Sequence, residues 1–105
     1  MICFPSCKIN LGLRITQKRA DGFHALETVF FPISIKDALE IIIEPDTNAA
    51  PISFTSSGLA INGDPSDNLC FKAYGLLKKD YPTIPNIKMH LHKTIPMGAG
   101  LGGGS

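Results

Sequence analysis

The sequence predicts an α+β fold in which one helix packs on a mostly antiparallel sheet, and three observations predict it. Apolar and polar residues alternate through much of the first ~60 positions, the pattern of strands. The spacing then turns helical once, after a cluster of capping residues. Alternation returns between Asn86 and Lys93, directly before a glycine-rich run. Strands followed by one helix and a further strand belong to the α+β class.

Each element has its own signal. Ser6 to Ile15 reads S-C-K-I-N-L-G-L-R-I, and strict alternation puts Cys7, Ile9, Leu11, Leu13 and Ile15 on one face. Lys8, Asn10, Gly12 and Arg14 fall on the other, which makes a half-buried strand. Gln17 to Gly22 is polar and closes on Asp-Gly, a turn signal. Phe23 to Ile35 is rich in aromatic and β-branched residues and reads as a second strand. Pro32 lacks an N–H and favours a break or an edge near its end. Ala38 to Glu44 is a third strand, Pro45 to Ala50 a loop, and Ile52 to Thr55 a weak fourth strand. Ser66, Asp67 and Asn68 can cap a helix in which Leu69, Cys70, Ala73, Leu76 and Leu77 recur at helical spacing. Lys78 and Lys79 suit its last turn, and Tyr81-Pro82 and Pro85 end it. Ile87, Met89 and Leu91 then alternate with Lys88, His90 and His92 in a fifth strand, giving the order β-β-β-β-α-β without an internal repeat.

Composition narrows the function. With 105 residues there is room for one small domain, and 44% hydrophobic against 18% charged residues argues for a core rather than disorder. Ten Lys and Arg against nine Asp and Glu leave a net charge of +1, which disfavours a nucleic-acid binder that relies on bulk charge. Cys3, Cys7 and Cys70 form no C-x-x-C pair, so zinc ribbons and thioredoxin-like motifs are excluded. An odd cysteine count with no secretory leader fits a reducing cytoplasm. No apolar run approaches the roughly 20 residues needed to span a bilayer, and no membrane contact is expected. A glycine run that stops in mid-motif reads as the end of an N-terminal piece of something longer.

The strongest chemical signal is Pro96-Met97-Gly98-Ala99-Gly100-Leu101-Gly102-Gly103-Gly104-Ser105. Glycines let consecutive backbone N–H groups curl around an anion, and a helix starting just afterwards would strengthen the site. A flexible linker would not hold Leu101 or follow a patterned strand directly. The pattern G-x-x-x-x-G-K-[ST] is absent because no Lys follows the glycines, and G-x-G-x-x-G fits only when forced. From pattern alone Lys8 and Asn10 are solvated residues of a strand face, and Phe23-His24 follow a surface turn. His90 and His92 share a strand face with no third ligand in reach, so no metal site is assigned.

Taken together, P-S-C-K-I-N-L-G-L-R-I, K-R-A-D-G-F-H-A-L-E-T-V-F, D-N-L and P-M-G-A-G-L-G-G-G-S resemble the GHMP kinase superfamily over essentially the whole chain. The resemblance implies a fold like that of ribosomal protein S5 domain 2. The R-A-D-G-F-H-x-L-x-T block points to the member that uses ATP to phosphorylate the 2-hydroxyl of a cytidine-diphosphate-linked methylerythritol, in the non-mevalonate isoprenoid route. It implies that the loop Pro96 to Ser105 cradles the ATP phosphates, with Ser105 next to them and to Mg²⁺. Asn68, Leu69 and Lys93 match positions lining the adenine pocket. Lys8 would lie by the acceptor hydroxyl and the transferring phosphoryl group, and Asn10 by the methylerythritol. Phe23, where many relatives have Tyr, would stack on cytosine and His24 would bond its edge. The family's catalytic Asp lies after the glycine loop, and none of Asp21, Asp37, Asp46, Asp64, Asp67 or Asp80 matches it. Another GHMP small-molecule kinase, or a non-catalytic nucleotide- or RNA-binding module of this fold type, is the alternative. An RNA module would show a basic stripe with exposed aromatics, which is missing here.

Overall fold

The computed structural model describes residues 1–64 and 67–104, so Ser66 as a cap and Ser105 in the loop fall outside it. The elements run β1 (Ile2–Cys3), β2 (Ser6–Lys18), β3 (His24–Lys36), β4 (Ala38–Ile43), β5 (Ile52–Gly58), α1 (Leu69–Asp80) and β6 (Ile87–Lys93). The α+β class holds, but the strands divide into two sheets. One is four-stranded in the order β1-β4-β6-β5, and the other is the β2–β3 hairpin alone. Pairing is antiparallel except between β5 and β6, which run parallel and are joined through α1.

The hairpin departs from strict alternation, and its glycine explains why. Leu11 pairs with Val29 and Leu13 with Thr28, which leaves Gly12 as an extra residue with φ +72° in a bulge. Neighbours on β3 point to opposite faces, so the bulge sends Leu11 and Leu13 to opposite faces as well. Cys7, Ile9 and Leu11 stay together, while Leu13 and Ile15 join the face of Lys8 and Asn10. A one-sided apolar strand from Cys7 to Ile15 is therefore corrected. Two further register shifts lie between Ser6 and Cys7 and between Ile15 and Gln17. Pro32 breaks nothing, since it pairs opposite Lys8 in a two-stranded ribbon where β3 has no further strand on its outer side. The turn is fixed by Gly22 at φ +85° and by Asp21, whose Oδ1 accepts the Phe23 N–H at 3.1 Å.

Helix α1 begins where Asn68 Oδ1 accepts the Cys70 N–H at 2.9 Å, and Lys78 and Lys79 occupy its last turn. It lies over the face of the four-stranded sheet that carries Leu39, Ile41, Phe54 and Met89. Phe71 meets Phe54 with ring centroids 5.8 Å apart, and Tyr74 donates to the Pro85 carbonyl at 3.1 Å. Between helix and sheet an apolar groove of about 300 Å³ remains open along Leu69, Ala73, Leu77, Ile41 and Ile87. On the opposite sheet face Thr55 and Ser57 hydrogen-bond His90, and Ser57 also reaches His92.

Among the described residues the buried apolar core is small: Cys7, Tyr74, Met89 and Ile95. The radius of gyration is 16.7 Å, where a compact chain of this length would have about 13 Å. The accessible surface of 7626 Å² exceeds the roughly 5,700 Å² expected for this mass. The excess reflects the projecting hairpin and apolar side chains open to solvent, Phe30, Phe31 and Ile43 among them. No helix among the described residues is long and apolar enough to cross a membrane.

Candidate active site

The loop after β6 has the geometry the glycines call for. Gly98, Gly100, Gly102 and Gly104 have φ of +69°, +72°, +75° and +84°, whereas Ala99, Leu101 and Gly103 between them do not reach positive φ. Alternation in the sign of φ turns successive N–H groups toward one concavity, an anion nest. Side chains with a Cβ occupy only the alternate positions that accept one. Gly103 is required for another reason. A Cβ there would lie 2.3 Å from Ile95 Cγ2 and 3.2 Å from Lys93 Nζ, so the loop folds down onto its own root.

Lys8 ties the hairpin to this loop twice. Its backbone N–H donates to Leu101 O at 2.9 Å and its ammonium to Gly100 O at 3.0 Å. The ammonium also donates to Asn10 Oδ1 at 2.8 Å and sits 5.2 Å from the centre of the Phe30 ring. Asn10 Nδ2 donates to Thr28 Oγ1 at 3.1 Å, and that hydroxyl donates to Gly12 O at 2.6 Å. Lys8, Asn10, Thr28 and Phe30 share one face because the bulge keeps them in register. Lys8 and the loop enclose a cavity of about 190 Å³. A cation beside a loop of alternating φ is an arrangement suited to holding a polyanion and to stabilising charge on a group in transfer.

A second, more apolar cavity of about 130 Å³ adjoins the first through Gly103 and Gly104. Asn68, Leu69, Leu91, Lys93 and Met97 line it. The Asn68 carbonyl oxygen is engaged as the helix cap. Lys93 is only 3% exposed, and its ammonium donates to Asp37 Oδ2 at 2.6 Å. Phe23 and His24 lie at the far end of the hairpin, His24 being six residues along β3 from Phe30, or about 20 Å at the rise of a strand. Phe23 is 71% exposed, and His24, paired with Lys18, shares the Lys8 face.

Comparison with known proteins accords with this geometry. The family described as GHMP kinases N terminal domain matches residues 68–105, the capped helix, β6 and the loop. The 4-diphosphocytidyl-2-C-methyl-D-erythritol kinase of Bacteroides thetaiotaomicron is 55% identical over all 105 residues. The chain is thus similar over its whole length to part of a GHMP-type kinase. The chloroplastic kinase of the same name from Oryza sativa subsp. japonica is 41% identical over 97% of the chain. A crystal structure of a 4-(cytidine 5'-diphospho)-2C-methyl-D-erythritol kinase superposes on 98% of the chain with a TM-score of 0.77 and 31% identity. The chain spans 38% of the Bacteroides enzyme, 25% of the rice enzyme and 35% of that solved chain.

The structure brings the residues that the resemblance singles out into two groups. Pro96 to Gly104, Lys8 and Asn10 meet around the loop, with Asn68, Leu69 and Lys93 next to them. Phe23 and His24 stand apart at the hairpin tip. Sequence reasoning missed Thr28, although it closes the H-x-L-x-T block, because strict alternation hid which face it shares. It also passed over Phe30 and Asp37, whose partners are distant in sequence. Among the described residues no carboxylate pairs with Lys8; the ion pairs are Arg19–Asp21, Lys72–Asp67, Lys88–Glu44 and Lys93–Asp37.

Proposed function

We propose that the protein carrying this segment transfers a phosphoryl group from ATP to the 2-hydroxyl of 4-diphosphocytidyl-2-C-methyl-D-erythritol. The observation that carries the reading is the alternating-φ loop with the Lys8 ammonium at its mouth. Residues 1–105 are then the N-terminal part of the nucleotide-binding domain. The triphosphate lies along the amides of Gly98 to Gly104, and the adenine lies in the adjoining cavity against Leu69 and Met97. A new bond forms from the acceptor oxygen to the γ-phosphorus as the bond to the β–γ bridging oxygen breaks and ADP leaves. Lys8 faces the charge on the transferring group, and Asn10, braced by Thr28, orients the acceptor. The hydroxyl proton goes to a base outside the six Asp residues of this segment, so the segment alone has no turnover.

Mg²⁺ would neutralise phosphate charge once bound with the nucleotide. Among the described residues no group of three or more His, Cys, Asp or Glu side chains is placed to hold a metal. The phosphates themselves would supply ligands to the ion, with Ser105 as the candidate hydroxyl from this segment. An elongated acceptor suits the hairpin, since its cytosine can reach Phe23 and His24 while its sugar alcohol stays near Lys8. The free Cys3, Cys7 and Cys70 fit a cytoplasmic setting. The test is ADP release by the chain at the length of its relatives. ADP should form only when ATP, magnesium and the cytidine substrate are all present. Equal turnover with homoserine or mevalonate as acceptor would assign another GHMP activity.

A further inference from the structure

We propose that Asp37 is a positioning residue for nucleotide binding, whose carboxylate fixes the root of the glycine loop and the loop's placement against Lys8. The inference rests on the reading of that loop as a phosphate cradle. Asp37 is the single residue between β3 and β4, where the chain passes from the hairpin to the four-stranded sheet. Its side chain receives three donors, all from the stretch where β6 becomes the loop. Oδ2 accepts from Lys93 Nζ at 2.6 Å, and Oδ1 accepts from the N–H groups of Thr94 and Ile95 at 2.7 and 2.8 Å. Asp37 and Lys93 are 5% and 3% exposed.

The grip reaches the loop and Lys8 by separate routes. Ile95 and Lys93, held by Asp37, form the surface on which Gly103 rests without room for a Cβ. The Asp37 N–H donates to Pro5 O at 3.0 Å, one residue before β2 begins, and β2 carries Lys8 to Leu101 O. Both sides of the cradle are thus referenced to one residue. A buried ion pair is weak evidence for stability, because an apolar pair of similar volume often serves as well. Two adjacent backbone amides and an ammonium converging on one carboxylate instead require its two oxygens at a fixed spacing. The same saturation removes Asp37 as a base for the acceptor hydroxyl, since its oxygens are engaged by three N–H donors.

The test compares the unmodified relatives-length chain with Asp37→Asn, at a temperature where circular dichroism shows both folded. Asn keeps an oxygen for the amides but sets an NH₂ against the Lys93 ammonium. Binding of a non-hydrolysable ATP analogue with magnesium should weaken by about tenfold or more, while affinity for the cytidine substrate stays within about twofold. Unchanged nucleotide affinity in the folded variant, or equal weakening of both ligands, would overturn the proposal. If the variant does not fold, hydrogen exchange in the unmodified protein decides. The Thr94 and Ile95 amides should exchange as slowly as that of Met89 at the centre of β6, and fast exchange at either overturns it. Should the unmodified protein bind the analogue yet transfer nothing to the cytidine substrate, the acceptor assignment fails and the Asp37 comparison on nucleotide affinity still reads.

Discussion

Asp37, Lys93 and Ile95 at the root of the glycine loop are 5%, 3% and 1% exposed, whereas Leu13, Ile15 and Phe23 in the outer half of the hairpin are 58%, 61% and 71% exposed. Both regions carry part of the proposed site, but different physics holds them. The root is a saturated polar network in a dry setting, where any displaced group would lose its partners at full cost. The hairpin is a two-stranded ribbon held by ladder hydrogen bonds and by the chain Lys8–Asn10–Thr28, with apolar flanks open to solvent. Isolated ribbons of this kind are marginal in water. On the proposed reading the nucleotide side is preorganised, while the acceptor side is an exposed arm that ligand binding would order. Lys8 stands where the two meet.

The largest effect should come from cutting that meeting point. Lys8→Ala in the relatives-length enzyme should lower kcat by about 10²- to 10³-fold, the scale of losing one preorganised donor to developing charge, with a smaller change in KM for ATP. Steady-state kinetics in both substrates checks this. A loss confined to KM would make Lys8 a binding group only. Next comes the root. Gly103→Val drives a side chain into Ile95 and should destabilise the fold by about 1–3 kcal/mol, read as a lower thermal midpoint, together with loss of nucleotide binding. Survival of nucleotide affinity in a folded variant would mean that the loop is not the cradle.

The arm predicts the opposite pattern. Phe23→Ala removes an exposed ring, so the thermal midpoint should not move. KM for the cytidine substrate should rise by the roughly 1–3 kcal/mol of a stacked base, with KM for ATP unchanged. Equal changes in both would dissolve the distinction between the two regions. The smallest effect is acid sensitivity. Burial pushes the Asp37 carboxyl up, but the hydrogen bond from Lys93, the Ile95 and Thr94 amides and the charge of Lys93 outweigh it, holding the group below its ordinary value of 3.8. A carboxyl lowered on folding stabilises fully above its unfolded value, and the benefit is lost as pH falls through the folded one. The thermal midpoint should therefore drop below about pH 4, and Asp37→Asn should remove part of that drop.

Much of this was legible in the residues. The class, the helix with Asn68 as a cap, β4, β6 and the glycine loop follow from periodicity and turn chemistry, because those signals are local. The two-residue β1 is too short to show a period. The bulge at Gly12 was hidden because a glycine on a polar face looks like any solvated position, yet it decides which residues stand beside Lys8. Asp37 was passed over because its partners lie 56 to 58 residues away, and no local pattern encodes them. The division into two sheets was missed for the same reason, since pairing partners are tertiary facts.

The central claim is that the alternating-φ loop and Lys8 form the phosphate cradle. Amide chemical-shift mapping on adding a non-hydrolysable ATP analogue with magnesium tests it most directly. The account predicts the largest shifts at the amides of Gly98 to Gly104 and at Lys8, smaller ones at Asn68 and Leu69, and none at Phe23 and His24. Shifts centred instead on Thr55, Ser57, His90 and His92, with the loop amides unmoved, would contradict it.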